Sequence, residues 1–349
     1  MDSIAVSGTE RPIMRLIPRG TSRKPLGPGR EARSRTRRLL RVAGIAALIV
    51  VGLVLVSTAT NLIFERAEKS SISPYGERIA INGGEINVQR NGHTGQPIVL
   101  LSGLGTPAPG LDFAPLAREL GDFDVIVVEG FGYGYSDMQA SERSNKNIST
   151  ELHEVLTKLH IKQPYVLAGH SIAGFYTLDY ANRYPNEVAA VIGIDATIPK
   201  PTNQPVEEPQ PGINWERALS VTGLVRTVTA IAPGLAAPDG DAYTADELER
   251  MRLMMSWNFG NDAVADETSR IANNAASLRG VHYPDMLPVL AFLADDKSDT
   301  TKTRTAAAED LLKNVRSHEI VTLEGGHYLH WTQSKRMAET IRTFLSNHG

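Results

Sequence analysis

Three short stretches hold residue types that together could do nucleophilic chemistry. In residues 165–176, YVLAGHSIAGFY, an apolar run passes through Gly169 and His170 to Ser171 and then into a helical pattern. The small residues two positions either side of the serine, Gly169 and Ala173, permit a tight strand-to-helix turn. Such a turn would project the Ser171 hydroxyl and set the Ile172 N–H beside it as an oxyanion donor. The plainer use of this serine is as a cap of the following helix. In LLSGLGT, Ser102-Gly103-Leu104-Gly105 follows another apolar run. Glycine there lets the backbone turn toward a substrate, with the Leu104 N–H as second oxyanion donor and Gly103 and His170 lining the pocket. In LEGGHYLHW, Gly325-Gly326 lead into His327, an imidazole suited to take a hydroxyl proton near neutral pH. His330, three residues on, is the alternative base.

A histidine in that role needs a carboxylate to orient it and to stabilise its charged form. The order serine, acid, histidine points to FLADDKSD, residues 292–299, where Asp296 is the first choice and Asp295 the second. Asp195, after the strand that follows the serine's helix, also precedes His327 and is the alternative.

These residues need rigid elements behind them. Short apolar runs at residues 97–101, 124–129, 165–169, 190–195, 288–294 and 318–323 read as buried strands, and RIAINGGEINVQ as a hairpin turning at Gly83-Gly84. Helical patterns at residues 113–120, 147–160, 172–184, 306–315 and 334–346 fall between them, which predicts a mostly parallel sheet covered on both faces. Residues 197–283 break this rhythm. They open Pro-rich and continue with helical patterns at 215–231, 245–257 and 263–278, so a helical cap over the C-terminal sheet edge is expected, positioned to act as a lid.

The formal net charge of -3 hides an asymmetry, because the first 41 residues carry eleven Lys/Arg against three Asp/Glu. This Gly/Pro/Ser-rich tail is expected to be disordered, and its lack of helical patterning argues against nucleic acid as a partner. Residues 42–64 contain no charge and are long enough to cross a bilayer, so they predict a transmembrane helix with the lipid bilayer as partner. Arginines just before the span put the N-terminus in the cytoplasm and the acidic remainder outside. A cleaved signal peptide, releasing a secreted protein, is the alternative. With no cysteine, disulfides, a thiolate nucleophile and thiolate metal sites are excluded.

From Ile72 onward the chain resembles the α/β-hydrolase superfamily. The resemblance rests on LLSGLGTPAP, VEGFGYGYSD, AGHSIAGFYTLDYANRYPNEVAAVIGID and EGGHYLHW. Ser102 stands where the superfamily commonly has histidine, and Ala173 where glycine is usual. The resemblance implies a core of residues 72–196 and 284–349, a cap of residues 197–283 and no metal or organic cofactor. It further implies hydrolysis of a small-molecule acyl substrate, a carboxylic ester or relative, through an acyl-enzyme. Ser171 argues against epoxide hydrolases and haloalkane dehalogenases, which share the fold but attack with a carboxylate. The rival reading is a membrane-tethered binding or signalling module on the same fold, with single-turnover or no catalysis.

Overall fold

The structure, a computed structural model, describes residues 30–199, 212–235, 238, 241–295, 297 and 299–348. Helix α1 (Arg30–Ser71) holds the uncharged run, so residues 30–41, expected in the disordered tail, are helical, as are residues 65–71 beyond the run. It belongs to two compact units, one ending at Leu53 and the other running from Val54 to Gly349.

The second unit is built on eight strands. They are β1 (Glu77–Ile81), β2 (Gly84–Arg90), β3 (Pro97–Leu101), β4 (Asp124–Glu129), β5 (Tyr165–His170), β6 (Val188–Ile194), β7 (Val289–Asp295) and β8 (His318–Glu324). Their order is β1-β2-β4-β3-β5-β6-β7-β8; β1 and β2 pair antiparallel at one edge and the strands from β4 through β8 are parallel. Alternation along each strand splits the core in two. Val99, Ile126, Leu167 and Val191 face one layer, while Ile98, Leu100, Val127, Val166 and Ile192 face the other.

Helices α2 (Pro109–Asp112) and α3 (Ala114–Glu119) follow β3, α4 (Asn145–Lys158) follows β4, and α5 (Ala173–Arg183) follows β5. Leu152, Val155, Phe175 and Leu178 from α4 and α5 cover the first layer. Between β6 and β7 come α6 (Trp215–Val221), α7 (Leu224–Ile231), α8 (Ala245–Asn258), α9 (Asp262–Ser269) and α10 (Ile271–Ser277). This is the stretch expected to be helical, although its Pro-rich opening, residues 200–211, lies outside the described residues. After β7 come α11 (Asp299–Leu312), then, past β8, α12 (Leu329–Thr332) and α13 (Ser334–His348). Phe113 and Leu116 with Met337, Ile341 and Phe344 from α13 cover the second layer. Truncating one such buried phenylalanine costs about 3–5 kcal/mol, a large part of a domain's net stability.

The Gly-rich loop after β4 is organised by a buried carboxylate. Glu129 accepts from the Tyr75 hydroxyl (2.6 Å), the Asn87 amide (2.9 Å) and the Gly110 and Tyr135 N–H groups (3.0 and 2.9 Å). A Cβ at Gly134 would collide with that carboxylate at 1.7 Å, so the loop closes only with glycine there.

Candidate active site

Parallel strands release their C-terminal ends on one edge, and the three stretches meet there. Ser171, just past β5, has φ +53°, a left-handed conformation that persists in a non-glycine residue only where packing enforces it. Here its N–H donates to the Ile194 carbonyl (3.2 Å), and its carbonyl accepts from Gly174 (3.0 Å) and Thr197 (2.8 Å). A Cβ at Gly169 would lie 2.9 Å from the Ala173 carbonyl oxygen, whereas Ala173 itself is accommodated, fully buried. The N-cap of α5 is Ile172, with no side-chain cap, so the serine hydroxyl is not consumed in ending the helix.

The loop after β3 passes very close. A Cβ at Gly103 would stand 2.9 Å from His170 Nδ1 and 3.1 Å from the Ser171 Cβ, so this approach requires glycine. Thr106 pins the turn, donating its hydroxyl (2.9 Å) and N–H (3.4 Å) to the Gly103 carbonyl. The Gly105 N–H donates to the Tyr133 hydroxyl (3.3 Å), which donates to Glu267 Oε2 (2.9 Å). Glu267 comes from α9 and also accepts from Tyr176; burial holds its carboxyl above the usual range. Among the described residues, no hydrogen bond engages the N–H groups of Leu104 and Ile172, which leaves both available to a ligand.

The imidazole of His327 is 42% exposed, and its Nδ1 lies 2.6 Å from Oδ2 of Asp195, a carboxylate only 1% exposed. Asp195 turns at φ +42° just beyond β6, and its carboxylate also accepts from the Ala294 N–H (2.9 Å) and from Arg304 Nη1 (3.0 and 2.8 Å). Arg304 Nη2 donates to the Ala294 carbonyl (2.8 Å), tying α11 to the end of β7. The sequence preference for the segment after β7 is corrected in one respect. Asp295 accepts from the Lys297 N–H (3.0 Å) and the Thr301 hydroxyl (3.4 Å), closing its own turn rather than meeting the imidazole. The register explains this: Ile194 pairs with Phe292, so β7 runs on past the level of Asp195 before Asp295 is reached. Asp296 lies outside the described residues.

The other two histidines have different surroundings from those expected. His170, expected to line the pocket, is 1% exposed; its Nε2 lies 3.1 Å from the His327 carbonyl oxygen and its ring is 4.7 Å from that of His327. Burial pushes its imidazole down to about 3, so it is neutral and its Nε2–H donates to that carbonyl. His330, the alternative base, is fully buried, with Nε2 2.7 Å from Asp112 Oδ2; the Trp331 indole donates to Oδ1 of the same aspartate (2.8 Å). Asp112, Arg304 and Glu267 carry no local sequence signal, because their partners lie far away along the chain, while Tyr133 falls in the VEGFGYGYSD stretch without its distant partner Glu267 being legible there.

Two cavities flank the site. One of about 310 Å³ lies between Leu104 and Gly105 and the helical segment, where Met255, Phe259, Asn261 and Val264 line it. The other, of about 350 Å³, is walled by Asp195, Ile198, Leu293, Arg304, Ala307 and His327. Among the described residues no cluster of three or more His, Cys, Asp or Glu side chains is placed to hold a metal ion.

Comparison with known proteins places these observations. A sequence model of the Alpha/beta hydrolase family matches residues 98–340. The chain is 28% identical over 167 residues to the uncharacterized protein YbdG of Bacillus subtilis (strain 168), covering 46% of this chain and 51% of that one. It is 26% identical over 169 residues to Lipase 3 of Moraxella sp. (strain TA144), covering 45% and 52%. The chain therefore spans about half the length of these curated relatives. Among solved structures, the epoxide hydrolase VrEH1 from Vigna radiata superposes with a TM-score of 0.61 at 14% identity, over 78% of this chain and 97% of that one, a likeness of fold.

Proposed function

The chain belongs to the alpha/beta hydrolase family, and on that premise we propose that it is a serine hydrolase cleaving a carboxylic ester, or a related acyl compound, through an acyl-enzyme. The observation that carries this reading is the 2.6 Å contact of His327 Nδ1 with buried Asp195, at the sheet edge where the turn after β5 presents Ser171. With Nδ1–H donated to Asp195, the Nε2 lone pair is left to accept the Ser171 proton.

In this mechanism Ser171 Oγ bonds to the acyl carbon as its proton moves to His327 Nε2. The oxyanion is held by the N–H groups of Leu104 and Ile172, each such donor contributing about 3 kcal/mol to the transition state. The ester C–O bond then breaks and the imidazolium protonates the leaving alcohol. Water repeats the sequence, releasing the acid and restoring Ser171. Asp195 is the acid in this reading, ahead of Asp295. A carboxylic ester also suits the likeness to a protein named as a lipase, and a serine at this position sets the chain apart from enzymes of the fold that attack with a carboxylate.

The helical segment between β6 and β7 acts as the cap of this site, and α1 anchors the chain in a membrane with its N-terminus cytoplasmic and its catalytic unit outside. Support for the anchor is the uncharged run from Val42 to Phe64, whose large apolar side chains stay exposed along the helix. The test uses a fluorophosphonate probe on the full chain in membranes, followed by steady-state hydrolysis of esters of graded acyl length. Covalent labelling, its loss in Ser171→Ala, and multiple turnovers are expected. Labelling with a single turnover on every ester would favour the binding module instead.

A further inference from the structure

Helices α6 and α7 are patterned opposite to what water would select. Ser220 and Thr229 are buried at 2% and 3% exposure, while Trp215 is 67% and Ile231 80% exposed. Leu219, Leu224 and Val228 are also exposed. Along α7 the apolar positions 224, 228 and 231 recur at helical spacing, so they form one stripe, and Leu219 follows Trp215 by four on α6. The cation of α7 is turned inward: Arg226 bonds Asn61 (2.7 Å) and both Glu68 oxygens (2.6 and 2.9 Å).

The partners of the inward face fix the depth of the outward one. Ser57 donates to the Thr222 carbonyl (2.7 Å), and the Asn61 amide donates to the carbonyls of Ser220 and Val221 (both 3.2 Å). Ser57, Asn61 and Glu68 form a polar stripe on α1 that α6, α7 and Trp257 of α8 occupy, the indole donating to Glu68 (2.9 Å). Ser57 and Asn61 lie inside the uncharged run, and Asn61 is four residues, about 6 Å, before its end at Glu65. The α6–α7 junction is therefore held level with α1 residues whose neighbours Leu55, Val56, Leu62, Ile63 and Phe64 expose apolar surface of their own.

We propose that the exposed face of α6 and α7 is seated in the lipid of the outer bilayer surface, with Trp215, Leu219, Leu224, Val228 and Ile231 among the acyl chains and headgroups. This inference rests on α1 being a membrane anchor. An amphipathic helix binds a membrane interface through such a stripe, with an aromatic ring at headgroup level. Because Glu216, next to Trp215, lines the 310 Å³ cavity beside Leu104, the seated face brings that cavity to the lipid and selects an ester that partitions into membranes.

The full chain is reconstituted in phosphatidylcholine/phosphatidylglycerol vesicles, and tryptophan emission is quenched with nitroxide-labelled phospholipids or with aqueous iodide. Vesicles are separately washed with alkaline carbonate. Retention after the wash, quenching by the labelled lipids, loss of that quenched component in Trp215→Phe, and its reduction in L224S/V228S/I231S are expected. Retention with Trp215 quenched by iodide alone, or shielded from both quenchers by another protein segment, overturns the seated face and leaves the anchor standing. Release by carbonate overturns the anchor, and the proposal with it.

Discussion

Replacing Asp195 by asparagine separates the carboxylate's charge from its geometry. The amide can keep the contact to His327 Nδ1 at 2.6 Å, but the negative charge that offsets a developing imidazolium is gone. With charge centres about 4 Å apart, Coulomb's law gives about 4 kcal/mol at an effective dielectric of 20 and about 1 kcal/mol in bulk water. The carboxylate is 1% exposed and the imidazole 42%, so the pair lies between these limits and toward the protein end. A loss of 3–4 kcal/mol corresponds to a fall in kcat of roughly 10²–10³-fold. Asp195→Asn also leaves the Arg304 guanidinium facing a neutral amide, so its unfolding midpoint must be measured beside its kinetics. Asp295→Asn is the control, since among the described residues that side chain closes its own turn, and its kcat should stay within about threefold of the parent. The assay is burst and steady-state release of p-nitrophenol from a short-chain ester, with active sites counted by fluorophosphonate. Equal losses in the two variants, or a folded Asp195→Asn of undiminished kcat, would refute the assignment.

Gly103→Ala forces a Cβ to 2.9 Å from His170 Nδ1 and 3.1 Å from the Ser171 Cβ. It should cost about 1–3 kcal/mol in urea denaturation and lower kcat more than it raises KM, because the Leu104 N–H is displaced. Tyr133→Phe removes the acceptor of the Gly105 N–H and one donor to buried Glu267. A loss of about 1–3 kcal/mol in stability is expected, and unchanged thermal and urea midpoints would argue against the link between α9 and the loop. His170 supplies a pH prediction. Its folded value of about 3 lies below the unfolded value of about 6.5, so the unfolded chain binds the proton more readily. Its stabilising contribution is full above about pH 6.5 and is lost as pH falls toward 3, at up to about 1.4 kcal/mol per pH unit. His170→Gln should flatten this part of the acid limb between pH 6.5 and 4.5 in urea titrations; a slope equal to the parent's would contradict it.

Local pattern carried most of the fold. Continuous apolar runs marked every parallel strand to within two residues, because a strand buried on both faces has little choice but apolar side chains throughout. The turn around Ser171 was legible for a similar reason: its steric demand falls on Gly169 and Ala173, two positions away. Helix boundaries were less legible at α11, which begins at Asp299 rather than residue 306. Thr-rich turns there carry helix propensity too weak to announce its start.

What the linear order of residues determined, then, was where a candidate nucleophile and base stand, since Ser171, His327 and the glycine-rich loop each lie in a short stretch whose glycines and small residues let the backbone turn there. Which aspartate meets His327 was a matter for the tertiary structure. Asp195, Asp295 and Asp296 are equivalent as residue types, and only the register of β6 against β7 sets the first beneath His327 and turns the second into its own loop. Likewise, the exposed stripe on α6 and α7 has meaning only beside Ser57 and Asn61, more than 150 residues earlier, because packing and not sequence separation decides which surface meets which solvent.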